Sequence, residues 1–312
     1  MKLSIVTTLY QSTSYINEFH QRVSAAARQI VGEDFEILLV NDGSPDNSLD
    51  LAVQLADKDS HVIVIDLSRN FGHHKAMMTG LAFAKGERIF LIDSDLEEQP
   101  EWLEAFSEQM GADQSDVVYG FQNKRKGRLF ERCTGWIYYR IFRWLTGIEQ
   151  PNNIVTARLM TRRYVEALVA HQERELNIGG IWIMTGFKQT KWAVNKHHLS
   201  PTTYTFSRKF SHLINAVTSF SSMPLIFSFY VGLLISLTAI LFIIYLFFRF
   251  FFISMPPDGY TSIIVSVWLF SGLIIFFIGL QGIYLSKVFL EVKQRPYTII
   301  RNVYRSPQQG NE

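Results

Sequence analysis

Two carboxylates one residue apart are the part of the chain best suited to chemistry. Asp93 and Asp95 come directly after the apolar run 88–92, with Ser94 between them. Because side chains alternate along an extended chain, both carboxylates leave this run on the same side. Two hard oxygen ligands at this spacing suit Mg²⁺ or Mn²⁺, and such an ion can also bind a diphosphate. The pair therefore predicts a divalent-cation site for a phosphorylated substrate, although an isolated Asp-x-Asp is also compatible with a loop or a helix cap.

Two other polar loops also follow apolar runs. Asp42 lies in the Asn-Asp-Gly-Ser loop after the run 36–40, and Arg69 lies in the Ser-Arg-Asn-Phe-Gly loop after the run 62–66. Asp42 could accept a hydrogen bond from a base or a ribose, and Arg69 could contact a phosphate. The alternatives are an ordinary Asp-Gly turn and a solvated arginine.

The elements that would position these loops alternate between strand and helix. Four runs rich in Ile, Val, Leu and Phe are predicted as strands covered on both faces, at 3–7, 35–40, 62–66 and 89–93. Helices are predicted after the Ser44-Pro45 cap and over 73–85, where Gly86 ends the pattern. This order predicts an α/β fold with a Rossmann-like, mostly parallel sheet and a site at the carboxyl ends of its strands.

Two later segments predict a membrane anchor. Residues 225–248 and 262–285 carry no charged side chain. Each is about 36 Å long as a helix, and a hydrocarbon core is about 30 Å thick. Lys and Arg flank the pair on both outer sides, whereas the connecting stretch holds only Arg249. The sequence therefore predicts a two-helix transmembrane hairpin in the inner (cytoplasmic) membrane, with both termini and the catalytic domain cytoplasmic.

Charge and cysteine content exclude several other classes of protein. The formal net charge is +2, and the one dense basic run, 124–128, is short, so no nucleic-acid partner is predicted. The single cysteine, Cys133, excludes an intrachain disulfide and a thiolate metal cluster.

Several motifs occur in a fixed order along nearly the whole chain. They are Glu36-Ile-Leu-Leu-Val-Asn-Asp-Gly-Ser44 with Asp46, Arg69-Asn-Phe-Gly72, Asp93-Ser-Asp-Leu96 with Pro100, Asp116-Val-Val-Tyr-Gly120, Ser219-Phe-Ser221 with Pro224, and Glu291-Val-Lys-Gln-Arg-Pro-Tyr297. With these motifs the chain resembles family-2 glycosyltransferases of the GT-A fold. The resemblance is to the polyprenyl-phosphate branch, which includes dolichyl-phosphate mannose synthases and bacterial undecaprenyl-phosphate glycosyltransferases.

The resemblance implies an activity and residue roles. A metal-dependent, inverting enzyme would move one sugar from a nucleoside diphosphate sugar to polyprenyl (undecaprenyl) phosphate at the cytoplasmic leaflet, for modification of a surface polysaccharide or glycan. Asp93 and Asp95 would be catalytic, and Asp95 and Glu97 would hold Mg²⁺ or Mn²⁺. The residues expected to bind the donor are Thr8, Tyr10, Asp42, Arg69 and Asp93.

The chain departs from the family pattern at three places. The first loop has Tyr10-Gln11-Ser12 where the family has Tyr-Asn-Glu, and Glu97 replaces an amide. Thr156 stands where the family carries an acid often treated as a catalytic base. We therefore assign no base, which a lipid phosphate nucleophile tolerates because it is already an anion.

The acceptor phosphate is expected near basic residues at the membrane surface. The candidates are Arg125, Arg128, Arg132, Tyr204 and Arg208. An aromatic and basic segment over 129–146 is predicted as an interfacial amphipathic helix, and the alternative is a helix packed on the domain beside a solvated basic loop. The two histidine pairs, 73–74 and 197–198, are interpreted as polar surface or substrate contacts rather than a zinc site.

These predictions divide the chain into four parts. Residues 1–200 form the glycosyltransferase domain, 201–223 a juxtamembrane segment, 224–286 the transmembrane hairpin and 287–312 a cytoplasmic basic tail. Small residues such as Gly272 and Gly279 allow a homo-oligomer through helix association. Two other functions stay open: transfer to a glycan or glycolipid hydroxyl, and a non-catalytic membrane scaffold or transporter that retains the fold.

Overall fold

A computed structural model describes residues 1–122, 140, 153–173, 178–196, 217–218, 221–253 and 259–306. The five predicted acceptor residues, Arg125, Arg128, Arg132, Tyr204 and Arg208, lie outside these ranges, as does nearly all of the segment 129–146. The chain divides into two compact units. The first contains the described residues up to 122, those between 153 and 196, and 295–306, and the second contains residue 140 and the described residues from 217 to 294.

The first unit is built on a single mixed sheet. Its strands are β1 (Leu3–Leu9), β2 (Phe35–Asn41), β3 (Val62–Leu67), β4 (Arg88–Leu91), β5 (Val117–Phe121), β6 (Ile154–Thr161), β7 (Gln189–Ala193) and β8 (Ile300–Arg305). Among the described residues the strand order is β7-β5-β6-β4-β1-β2-β3-β8. The central strands β4, β1, β2 and β3 run parallel, whereas β6 and β8 pair antiparallel with β4 and β3. The predicted α/β fold with a mostly parallel sheet is confirmed.

Six helices in the described part of the first unit connect these strands. They are α1 (Ile16–Val31), α2 (Ser48–Lys58), α3 (His73–Phe83), α4 (Trp102–Asp113), α5 (Arg162–Val169) and α6 (Ile178–Met184). Every residue of β1, β2 and β3 is buried, as the apolar runs predicted. Helix α3 approaches this sheet closely, because a Cβ added to Gly80 would lie 2.5 Å from Val6 Cγ1 and 2.8 Å from Val40 Cγ2.

Part of the predicted basic tail, 287–312, forms a strand. Residues Ile300–Arg305 form strand β8, which pairs antiparallel with β3 from Ile63↔Arg305 to Leu67↔Ile300. Because an unpaired edge strand exposes a row of backbone donors and acceptors, β8 protects the edge of β3. The tail therefore completes the sheet of the first unit over these residues.

The second unit contains two long apolar helices, α7 (Met223–Ile253) and α8 (Tyr260–Val292). Both predicted spans lie within them. Among the described residues, one segment, Phe270–Val292, is long and apolar enough to cross a membrane, and its residues are not buried. Within the unit, the Tyr284 hydroxyl donates to the Ser221 carbonyl at 2.6 Å. The two-span hairpin stays a prediction.

Candidate functional site

The loops at the carboxyl ends of β1, β2, β3 and β4 meet at one edge of the sheet. Backbone hydrogen bonds hold them together: Asp42 N donates to Leu9 O, and Ile92 N donates to Val6 O, both at 3.1 Å. The Ser94 hydroxyl donates to Thr8 O at 2.9 Å. The parallel topology therefore brings the loops that contain Thr8, Asp42 and Asp93 to one place, as expected for this class of sheet.

Asp42 is held by the loop that follows β3. Only 2% of its surface is exposed. Its carboxylate accepts from the amides of Phe71 at 2.7 Å and Gly72 at 3.0 Å. Burial raises the pKa of Asp42 above its ordinary value, against the effect of these two hydrogen bonds. A carboxylate has about four acceptor positions, so Asp42 retains capacity to accept from a nucleoside.

Hydrogen bonds join the loop after β1 to the residues after β2. The loop after β1 lacks the acid that the family usually has there. Gln11 N donates to the Ser44 hydroxyl at 2.8 Å, and Ser12 N donates to the Ser48 hydroxyl at 2.9 Å. Both hydroxyls donate in turn to Asp46. Burial would raise the pKa of Asp46, but the hydroxyls hold it well below its usual range. Serines and Asp46 thus fix the backbone beside Tyr10.

Asp93 forms an ion pair with His73, at the start of α3. His73 Nε2 lies 3.3 Å from Asp93 Oδ1, a buried oxygen without a hydrogen bond. His73 Nδ1 lies 2.9 Å from the Thr8 hydroxyl. Burial works against charge on both groups. The His73 ring nevertheless holds the pKa of Asp93 below its ordinary value, and Asp93 raises that of His73. Of the predicted donor residues, Thr8 and Asp93 are therefore joined through His73, which the sequence had predicted as a polar surface or substrate contact.

A second cation, Lys196, lies among the acidic residues after β4. Its ammonium is 3.3 Å from Glu97 Oε2 and 3.6 Å from Glu98 Oε1. Burial would lower the pKa of Lys196, but Glu98, followed by Asp93, raises it above the ordinary value. Lys196 is about 100 residues from these carboxylates along the chain. No local pattern could have assigned it to the site.

Glu98 brings a carboxyl group to Thr156, the position where the family pattern has an acid. Glu98 is completely buried, and its Oε1 accepts from Thr156 N at 2.9 Å. Burial, and then the charge of Asp93, raise its pKa to about 7. Position 156 has no acidic side chain, but the carboxyl group of Glu98, from the neighbouring loop, lies next to it.

Asp95 and Glu97 are the two residues predicted to hold a metal ion. The Asp95 carboxylate accepts from Glu97 N at 3.0 Å. Burial and Asp93 raise the pKa of Asp95. Within the described ranges no three His, Cys, Asp or Glu side chains are grouped to hold a metal. Two carboxylates nevertheless fit Mg²⁺, which commonly takes one or two from the protein and its other ligands from water and substrate phosphates.

The remaining predicted donor residues are on the surface. Tyr10 is 49% exposed. The Arg69 guanidinium lies 4.2 Å from the centre of the Phe71 ring and donates to Asn70 O. Both residues lie on loops at the same sheet edge. The described structure records no direct contact between either of them and Asp93 or Asp95.

Buried Arg158 lies beneath the Glu98 loop. Its guanidinium donates to Thr156 O at 3.2 Å and packs over the Trp182 ring. Burial lowers its pKa to about 9. Glu98 accepts from the Thr156 amide, and Arg158 donates to the Thr156 carbonyl. The two side chains therefore fix both polar backbone groups of Thr156 in β6.

Comparisons with known proteins agree with this arrangement. The family described as glycosyl transferase family 2 matches residues 4–169. A Mycobacterium tuberculosis protein named as a glycosyltransferase is 51% identical over 306 residues, covering 98% of this chain and 89% of that protein. A bactoprenol glucosyl transferase of Shigella flexneri is 27% identical over 309 residues, covering 98% of this chain and 99% of its own.

A solved structure shows the same fold. The crystal structure of Mycobacterium tuberculosis glucosyl-3-phosphoglycerate synthase superposes with a TM-score of 0.50 at 16% identity, covering 72% of this chain and 81% of that one. The family match, the full-length relatives and the sheet-edge site together show that this chain belongs to glycosyl transferase family 2 and is a glycosyltransferase.

Proposed function

We propose that this enzyme transfers one sugar from a nucleoside diphosphate sugar to a polyprenyl phosphate, with inversion at the anomeric carbon. The observation that carries the proposal is the similarity to bactoprenol glucosyl transferases. It spans 97–98% of the chain and therefore includes the apolar C-terminal helices as well as the catalytic unit. A catalytic domain joined to an apolar helix suits an acceptor that lies in a membrane.

The described side chains suggest how the donor is bound. Asp42 would accept from the nucleoside, and Asp93, oriented by His73, would contact the donor sugar. Asp95 and Glu97 would hold Mg²⁺ or Mn²⁺, which, when bound, stabilises negative charge on the departing nucleoside diphosphate. A phosphate oxygen of the acceptor would attack the anomeric carbon as the bond to the diphosphate oxygen breaks. The attacking oxygen is already negatively charged, so the step needs no protein base.

The membrane arrangement is part of the proposal. Strand β8 follows helix α8 and pairs with β3, so residues before and after the two apolar helices belong to one sheet. A sheet lies on one side of a membrane, which requires an even number of crossings between its strands. This supports two spans with both termini on the same side, and the Lys and Arg that flank the apolar helices favour the cytoplasmic side. The proposed contacts to the acceptor phosphate are Arg125, Arg128, Arg132, Tyr204 and Arg208.

The experiment uses the purified full chain in lipid nanodiscs with undecaprenyl phosphate. A panel of UDP-, GDP- and dTDP-sugars is supplied with Mg²⁺, with Mn²⁺ or with a chelator, and mass spectrometry detects a lipid-phosphate sugar. We expect product with at least one donor, and only with a divalent ion. Transfer to a glycan or glycolipid hydroxyl, with none to the lipid phosphate, would contradict the proposal.

Asp95→Asn should lower the rate of transfer by about 10²-fold or more, since it removes a charged ligand from the proposed ion. Asp57→Asn provides the matched control, because Asp57 is an exposed residue of α2. We expect this control to keep the wild-type rate. Full activity of Asp95→Asn would exclude the proposed metal role.

Transfer to a hydroxyl is the second candidate function, and one contact favours it. A hydroxyl acceptor needs a base, and the Glu98 carboxylate lies at Thr156, where the family pattern has its acid. The same assay with a glycolipid acceptor distinguishes the two functions.

A further inference from the structure

Strand β8 is connected to the loop that supports Asp42. Ser68, the first residue after β3, donates its amide to Ile299 O at 2.9 Å. The Arg301 guanidinium donates to Ser68 O at 2.6 Å. Residues from the end of the chain therefore fix both polar backbone groups of Ser68.

Arg301 also lies beside a buried carboxylate. Asp66 is 1% exposed, and its Oδ1 accepts from Asn41 Nδ2 at 2.8 Å. Its Oδ2 is buried without a hydrogen bond, and Arg301 lies 3.6 Å from it. A buried charge that loses its partner is strongly unfavourable, so Arg301 supplies the compensating positive charge beside the Asp66 carboxylate.

The other side of the same loop holds the nucleoside end of the proposed donor site. The amides of Phe71 and Gly72 donate to Asp42. Gly43 packs against the loop so closely that an added Cβ would lie 2.4 Å from Asn70 N. Asn41, which donates to Asp66, also accepts from Ser44 N at 3.3 Å. Loop 68–72 is thus fixed by β8 on one side and positions Asp42 on the other.

We infer that Arg301 is a positioning residue for nucleotide binding, acting through Asp66 and Ser68 on the loop that holds Asp42. This inference rests on the proposed function, because it takes Asp42 as a nucleoside contact. Arg301 belongs to the described network on the β3 side of the sheet, whereas Asp93 and Asp95 follow β4. Its loss should therefore weaken binding of the nucleotide more than it slows the chemical step.

The test measures nucleotide binding to the full chain in nanodiscs by isothermal titration calorimetry. UDP, GDP and dTDP are each titrated into the wild type, and the one that binds is used for the variants. Arg301→Gln should raise the dissociation constant by about three- to tenfold, which lies within the range for residues that act through others. The donor KM should rise similarly, with kcat within about twofold. Arg305→Gln, at an exposed position of the same strand, serves as the control and should bind as the wild type does.

A double variant separates positioning from general damage. In Asp66→Asn/Arg301→Gln the neutral amide needs no cation, yet it can still accept from Asn41, so most of the lost affinity should return. Unchanged affinity in Arg301→Gln would overturn the inference alone, and so would a double variant as weak as Arg301→Gln. A wild type that binds no nucleotide would overturn the proposed function together with the inference.

Discussion

At the scale of residues, the site is an acidic cluster compensated by two side-chain cations. His73 pairs with Asp93, and Lys196 pairs with Glu97 and Glu98. Neither cation belongs to the motifs that relate the chain to its family. They place positive charge among several carboxylates that lie close together, and so offset part of the repulsion between them.

Replacing Lys196 with glutamine should destabilise the protein by an amount that grows with pH. The pKa of Glu98 is raised from 4.5 to about 7. A carboxyl group whose pKa is higher in the folded than in the unfolded state lowers the stability of the protein as the pH rises from the unfolded pKa to the folded pKa. Above the folded pKa the loss stays constant. Without Lys196 the folded pKa rises further, so the loss continues above pH 7. We expect the loss of stability to be larger at pH 8 than at pH 7, by about 1 kcal/mol.

Urea unfolding of the full chain in detergent at these two pH values measures the difference. Lys191→Gln is the matched control, because Lys191 lies on β7, is exposed, and its ammonium is 5.3 Å from the centre of the Phe121 ring. Its effect should not change with pH. An equal loss of stability at both pH values in Lys196→Gln would contradict the pairing with Glu98.

At the scale of elements, helix α3 determines where His73 lies. The helix begins at His73 and packs on β1 and β2 through Gly80. A larger side chain at Gly80 would push the helix away from the sheet, and His73 would move with it. The close contact between helix α3 and the sheet therefore helps to position His73 in the site.

Gly80→Ala should lower the free energy of unfolding by about 1–3 kcal/mol, since the added methyl group overlaps Val6 and Val40. Gly111→Ala in α4 is the control, because nothing lies within 4 Å of the added Cβ. It should stabilise the protein by about 0.5–1 kcal/mol through helix propensity. Thermal and urea unfolding of both variants measure the contrast, and stabilisation by both substitutions would refute the close packing.

At the scale of the whole molecule, the chain passes through two apolar helices and then returns to the sheet. Strand β8 begins at Ile300, after α8 ends at Val292. Because β8 pairs with β3, chain segments before and after the apolar helices belong to the first unit. In a membrane-bound enzyme this pairing would require an even number of crossings between β3 and β8.

We expect epitope tags at the two termini to be accessible from the same side of the membrane. Protease protection in right-side-out and inverted vesicles measures this directly. A cytoplasmic protein of the same cells is the control for vesicle orientation. Termini on opposite sides would mean one crossing, and β8 could not pair with β3 in the membrane-bound enzyme.

The sequence by itself predicted the central strands, the loops at their carboxyl ends and the family. These features are encoded locally, by apolar runs of strand length and by polar residues directly after them. Ile92 and Asp93, predicted as the end of a strand, lie just beyond β4, an ordinary difference at an element boundary.

The tertiary structure decided which distant residues complete the site. Lys196 approaches Glu98, Glu98 reaches the amide of Thr156, and Arg301 lies beside Asp66. These partners are far apart in sequence, and their meeting depends on strand order and register rather than on local pattern. The carboxylates that could do chemistry were therefore readable from the chain, whereas the cations that pair with them were determined only by the way in which the sheet is assembled.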